Sequence, residues 1–67
     1  MTVTLNGGSR AFEPDSISLE ALLGELDLGG KPVVVELNRE PVLPSDYATT
    51  TIRDGDSLEI VRIAAGG

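Results

Sequence analysis

The groups in this chain that could do chemistry are few, and they gather at its C-terminal end. Among 67 residues there is no Cys, no His and no Trp, and Lys31 is the single lysine. Without an imidazole or a thiol, neither a Ser–His–Asp triad nor a Cys–His dyad can be assembled, and zinc sites of the Cys and His type are excluded. What is left is a carboxylate. After Ile63 the sequence runs Ala64-Ala65-Gly66-Gly67, four small residues whose ribbon is little wider than its own backbone, with no side chain crowding the terminal carbon. Such a ribbon is expected to be flexible and to enter a narrow channel in a partner enzyme. A carboxylate is a poor acyl donor until it is activated, so the partner has to convert it to an acyl-adenylate. Side chains beside the reacting carbon would obstruct in-line attack on the α-phosphate of ATP and the arrival of a later nucleophile. A frayed end that carries two glycines by composition is the plain alternative, and the eight glycines of the chain keep it open.

The bulk composition points the same way. A chain this short makes one domain and buries only about 60% of the surface its unfolded form exposes. An enclosed site of roughly 300–1,000 Å³ would consume most of that interior, so no catalytic side chain and no metal ligand is expected, and the folded body is expected to act as a grip. Eleven acidic residues against five basic ones give a net charge of −6. That balance disfavours nucleic acid, whose phosphates need clustered Lys and Arg, so no nucleic-acid partner is expected. It suits either a solvated surface or steering toward a basic docking surface. The N-terminal residues have neither the charged region nor the apolar stretch of a signal peptide, and no apolar run approaches the roughly 18 residues that span a bilayer. The expectation is a soluble cytoplasmic protein with no membrane contact, monomeric when free.

The elements that would carry this end can be read from periodicity. Met1 to Leu5 alternates as a half-buried strand, and Asn6-Gly7-Gly8 supplies a turn into a second arm from Ser9 to Phe12, ended by Pro14. Leu19, Leu22, Leu23 and Leu26 recur at helical spacing, which predicts a helix from Leu19 to Leu28 with Ser18 as N-cap and Glu20 in its first turn. Gly29-Gly30 before Lys31-Pro32 reads as its stop. Val33 to Leu37 is nearly continuously apolar and is expected at the centre of the sheet. Asn38-Arg39-Glu40 turns into a short strand from Pro41 to Leu43, which the proline confines to an edge. Ser45-Asp46-Tyr47 reads as a brief helical turn. Asp54-Gly55-Asp56 leads into a last strand from Ser57 to Ile63, with Leu58 and Ile60 on one face and Glu59 and Val61 on the other. Leu58 and Ile60 are also candidates for partner contact, against the plainer reading that they are core. This order gives an α+β roll: a mixed sheet of four to five strands with one helix packed across it. Residues 1–63 would form the domain and 64–67 the flexible tail.

Several pieces of this sequence together resemble the ThiS family of sulfur carriers: Leu5-Asn6-Gly7, Ser18-Leu19-Glu20-Ala21-Leu22-Leu23, Leu37-Asn38, Val42-Leu43-Pro44 before Tyr47-Ala48, the run from Asp54 to Val61, and the closing Gly66-Gly67. The resemblance covers essentially the whole chain. It implies a ubiquitin-like β-grasp fold whose terminal glycine, here Gly67, is adenylated by an E1-like enzyme of the ThiF type and converted to a thiocarboxylate. The sulfur then goes to a thiazole synthase of the ThiG type. ATP is used by the activating partner, and no cofactor is bound by this chain. Gly66 keeps the approach slim, and Ala64 and Ala65 are part of the tail inserted into the partner. Tyr47 stands where the family often has Trp, and Ala65 where a third glycine is common; both bear on how deep the tail reaches. Alternatives of the same fold remain: the small subunit of molybdopterin synthase, which is usually longer, a carrier for cysteine synthesis, or a ubiquitin-like modifier or interaction module. Length and the Arg53-Asp54-Gly55-Asp56 context favour thiamine.

Overall fold

The computed structural model describes residues 1–63, and the expectations placed on Ala64, Ala65, Gly66 and Gly67 lie outside the described residues. Strand β1 (Thr2–Leu5) folds back on β2 (Gly8–Ala11) through Asn6 and Gly7, both at positive φ (50° and 83°). That is the two-residue turn whose twist matches antiparallel strands, and Asn and Gly are the residues that enter it with least strain. β3 (Ser16–Ser18) leads straight into α1 (Leu19–Glu25). β4 (Val33–Leu37) and β5 (Glu40–Val42) form a second hairpin, turned by Asn38 and Arg39, again both at positive φ. A 3₁₀ turn (Pro44–Asp46), β6 (Thr51–Arg53) and β7 (Ser57–Arg62) complete the described chain.

The main sheet has five strands in the order β2-β1-β7-β4-β5. β1 and β7 run parallel, while β4 pairs antiparallel with both β5 and β7. The sheet is therefore mixed, with one helix across it, as the periodicity predicts. Its middle is β7, however, and not Val33 to Leu37. The apolar run of β4 misleads because Val34 faces away from the helix and is 49% exposed, leaving Val35 as its one buried residue. Pro41 sits on the edge strand β5, where a missing N–H is tolerated.

A two-stranded sheet escapes the sequence reading altogether. β3 and β6 pair antiparallel with Ile17 opposite Ile52. Three-residue strands place a single apolar residue inward, too little to register as alternation.

The helix also differs from expectation. It ends at Glu25 with Leu26 as C-cap, not at Leu28. Asp27, and not Gly29-Gly30, takes the left-handed position that stops the helix (φ 61°). Its N–H donates to the Gly24 carbonyl (3.1 Å), and the Leu28 N–H donates to the Leu23 carbonyl (2.8 Å). This is the paired-bond helix stop in which a short polar side chain can replace glycine. At the other end Ser18 Oγ accepts the Ala21 N–H (3.0 Å), as expected of an N-cap. The Leu19 and Glu20 N–H groups donate to the carbonyls of Thr50 (2.8 Å) and Tyr47 (3.0 Å), so the first three helical donors are satisfied.

Eight residues form the buried core: Val3, Leu19, Leu22, Leu23, Val35, Ile52, Leu58 and Ile60. Leu26 packs at its border. Leu58 and Ile60 are therefore core and not partner contacts, 0% and 7% exposed, because they face the leucine stripe of α1.

Two asparagines hold the middle strand. β1 ends at Leu5, and beyond it the Asn6 carboxamide acts as one more rung: its Oδ1 accepts the Ile60 N–H (2.7 Å) and its Nδ2 donates to the Ile60 carbonyl (3.1 Å). On the other side β4 ends at Leu37. There the Asn38 N–H donates to the Ser57 carbonyl (2.8 Å) and its Oδ1 accepts the Ser57 N–H (2.9 Å). Asp56 closes the corner, accepting from Asn38 Nδ2 (3.1 Å) and the Arg53 N–H (2.8 Å). Asp54 Oδ1 accepts the Thr2 N–H (2.7 Å).

Replacing Asn6 by Ala removes two hydrogen bonds and leaves a Cβ-bearing residue in the left-handed region without a compensating bond. The expected loss is about 2–3 kcal/mol in urea unfolding with unchanged slope. Asn6→Gly should recover about 1 kcal/mol of it, since glycine relieves only the backbone part.

Candidate functional site

The residues that the sequence singles out follow on the end of β7. Arg62 is paired with Val33 of β4, and the Ile63 N–H donates to the Pro32 carbonyl (3.0 Å). Backbone hydrogen bonds thus fix the chain up to Ile63, the residue immediately before Ala64. Any partner acting on the last four residues approaches this point of the fold, so the surfaces around Ile63 are the ones that matter.

Two surfaces surround it. One is the face of the sheet turned away from α1. The register sets Val34 opposite Val61, and Glu36 opposite Glu59. Val34 and Val61 are 49% and 60% exposed, and both glutamates are exposed as well. The result is an apolar pair close to the end of β7 and an acidic pair one step further along both strands. Like charges directly opposite on adjacent strands oppose folding, by roughly the few tenths to 1 kcal/mol that such pairs carry. This pair is consistent with a face that meets cationic groups from outside.

The other surface is a groove of about 460 Å³ between the end of α1, the connection into β4 and the 3₁₀ turn. Leu23, Leu28, Pro32, Val33, Tyr47 and Ile63 are among the residues that line it. The Tyr47 hydroxyl is buried and has no hydrogen-bond partner among the described residues. Tyr47 is held in place from its backbone, whose carbonyl accepts the Glu20 N–H at the start of α1.

Among the described residues no group of three or more His, Cys, Asp or Glu is placed to hold a metal ion. No helix among them is long and apolar enough to cross a membrane.

The residues that sequence reasoning singled out, Ala64, Ala65, Gly66 and Gly67, lie outside the described residues, so the structure defines the root of the site and its surroundings. Sequence reasoning missed both of those surroundings. The outward pair Val34 and Glu36 was readable once β4 is treated as an alternating strand. The groove was not readable, because it joins residues from four separated segments, and only folding brings Tyr47 next to Leu28 and Ile63.

These features define a class: a small ubiquitin-like β-grasp domain whose last residues follow directly on the middle strand of the sheet. A profile of the ThiS family matches residues 3–67, and the chain belongs to that family. The chain is 37% identical over 65 residues to the sulfur carrier protein ThiS of Thermus thermophilus, covering 97% of this chain and 98% of that protein. It is 46% identical over all 67 residues to a thiazole synthase of Paramagnetospirillum magneticum, and spans only 20% of that relative's length. The crystal structure of the thiamine biosynthesis protein ThiS from Geobacter metallireducens superposes with a TM-score of 0.87 at 32% identity, with both chains covered in full.

If the Glu36–Glu59 pair opposes folding of the free chain, Glu59→Lys should raise the unfolding free energy by about 0.5 kcal/mol. The gain should shrink as salt is added, because both groups are exposed. Urea titrations at low and high ionic strength check both statements.

Proposed function

We propose that this chain carries sulfur for thiamine biosynthesis as a thiocarboxylate on Gly67, loaded and unloaded by partner enzymes. Family membership supplies the class of activity: ThiS proteins are sulfur carriers and not enzymes. The observation that carries the finer reading is that the family match runs to residue 67 and so includes the Gly66-Gly67 pair. The geometry is compatible with it, since Ile63, hydrogen-bonded to the Pro32 carbonyl, directly follows the middle strand of the sheet.

In this reading an E1-like adenylating enzyme binds the folded body and encloses the tail. The Gly67 carboxylate attacks the α-phosphate of ATP, pyrophosphate leaves, and an acyl-adenylate remains. Sulfur at the oxidation level of sulfide then attacks the carbonyl carbon, AMP leaves with the electrons of the broken C–O bond, and a thiocarboxylate is formed. Glycine at both last positions leaves the carbonyl open from either side, which the two successive attacks require. The carrier's own contribution is recognition and orientation, provided by the surfaces around Ile63.

The acceptor in this reading is a thiazole synthase of the ThiG type. It is supported by the relative from Paramagnetospirillum magneticum, a protein named thiazole synthase of which a segment like this chain forms one fifth. The free carrier acts as a cytoplasmic monomer, and the only nucleotide involved is the ATP bound by the activating enzyme.

Incubation with the cognate adenylating enzyme, ATP and a sulfide source should replace one oxygen by sulfur in the intact mass of the chain. Omitting ATP, or deleting Gly67, should leave the mass unchanged. Sulfur incorporation that persists without Gly67 would place the reactive group elsewhere and defeat the reading.

A further inference from the structure

The sequence holds one side-chain amine, that of Lys31, and the fold sets it beside the root of the last four residues. Lys31 comes shortly before β4, and β4 runs antiparallel to β7, so the chain enters β4 at the same end of the sheet at which it leaves β7. Two backbone hydrogen bonds fix this relation. The Lys31 N–H donates to the Leu28 carbonyl (3.1 Å), and the carbonyl of the next residue, Pro32, accepts the Ile63 N–H (3.0 Å). Lys31 and Ile63 line the same groove. The Met1 amine lies elsewhere. It precedes β1, which runs parallel to β7, so it stands at the far end of the sheet, where it donates to the carbonyls of Phe12 (2.7 Å) and Pro14 (2.9 Å).

An amine in this place matters because of what the terminus becomes. Four residues follow Ile63, and four residues span at most about 14 Å when fully extended. The flexible four-carbon stem of lysine extends that reach from the other side. Groups joined by so short a tether meet at an effective concentration on the order of millimolar. At micromolar carrier this exceeds the chance of encounter between two chains. An acyl-adenylate is an electrophile, a lysine amine is a nucleophile, and only enclosure by the activating enzyme keeps the two apart.

Resting on the reading of Gly67 as the adenylated residue, we propose that Lys31 is an internal acceptor for the activated terminus, forming an isopeptide bond with Gly67 when the adenylate leaves the enzyme before sulfur arrives. The Lys31 amine nitrogen attacks the Gly67 carbonyl carbon and forms the C–N bond. The C–O bond to AMP breaks, AMP leaves with its electron pair, and the proton lost by nitrogen goes to water. Adenylation and amide formation together remove one water from the chain. The product is a closed carrier whose terminus offers no carboxylate, so it is withdrawn from further loading.

The test is the intact mass of the chain after incubation with the adenylating enzyme and ATP, with sulfide left out, while ATP–pyrophosphate exchange is followed in the same sample. The expected product has the mass of a single chain less one water, and tandem fragmentation joins Lys31 to Gly67. Lys31→Arg, whose guanidinium does not form the amide, should lose that product completely. Exchange without loss of water overturns the proposal, as does a bond at another residue, a product of two joined chains, or water loss that persists in Lys31→Arg. Absence of exchange with the parent chain overturns the proposal together with the reading of Gly67, so the two failures are distinguishable.

Discussion

The structure depends on how strand β7 is held. It is the middle of a five-stranded sheet, parallel to β1 on one side and antiparallel to β4 on the other. Both neighbours end before they have paired its whole length, and in each case an asparagine continues the ladder. Asn6 accepts from and donates to the backbone of Ile60, and Asn38 does the same for Ser57 through its side chain and its own N–H. Each asparagine also forms the first residue of a tight turn at positive φ. One residue type thus performs two tasks at each site, because its short amide tolerates the left-handed backbone and reaches a neighbouring strand. An unpaired backbone group on a buried central strand would be costly, and these side chains remove that cost without lengthening the sheet.

The same arrangement connects the fold to its use. β7 carries Leu58 and Ile60 into the core beneath α1 and then delivers the chain, still hydrogen-bonded at Ile63, to the edge of the domain. Under the proposed function, firm anchoring of this strand gives a partner enzyme a fixed reference point at Ile63. In the proposed reading recognition and chemistry are separated: the body offers an open sheet face and a groove, and Gly67 carries the reactive group. Under that proposal a domain without imidazole or thiol serves an acyl transfer because the partner supplies the activation.

Much of this was legible in the sequence, for identifiable reasons. The leucines at 19, 22, 23 and 26 mark one helical face, and three of them are fully buried. Asn6-Gly7 announces its hairpin, Pro41 its edge strand, and Ser18 its cap. The errors came where local pattern and tertiary placement diverge. The apolar run of β4 read as a sheet centre because sequence does not say whether an outward valine faces a second layer or solvent. The helix ends at Glu25 and reverses at Asp27 because Leu28 packs against the core, while Gly29-Gly30 carries the stronger local signal. β3 and β6 were too short to show a period. For the site, Gly66-Gly67 and the family resemblance were visible at once, whereas the groove around Tyr47 exists only in three dimensions.

The central claim is that Gly67 carries the sulfur and that the folded body serves to present it. The most direct measurement is growth without thiamine of a bacterium whose own sulfur-carrier gene has been deleted and replaced by this chain, intact or lacking Gly67. The account predicts growth with the intact chain and none with the shortened one at equal protein level. Equal growth with both would contradict it.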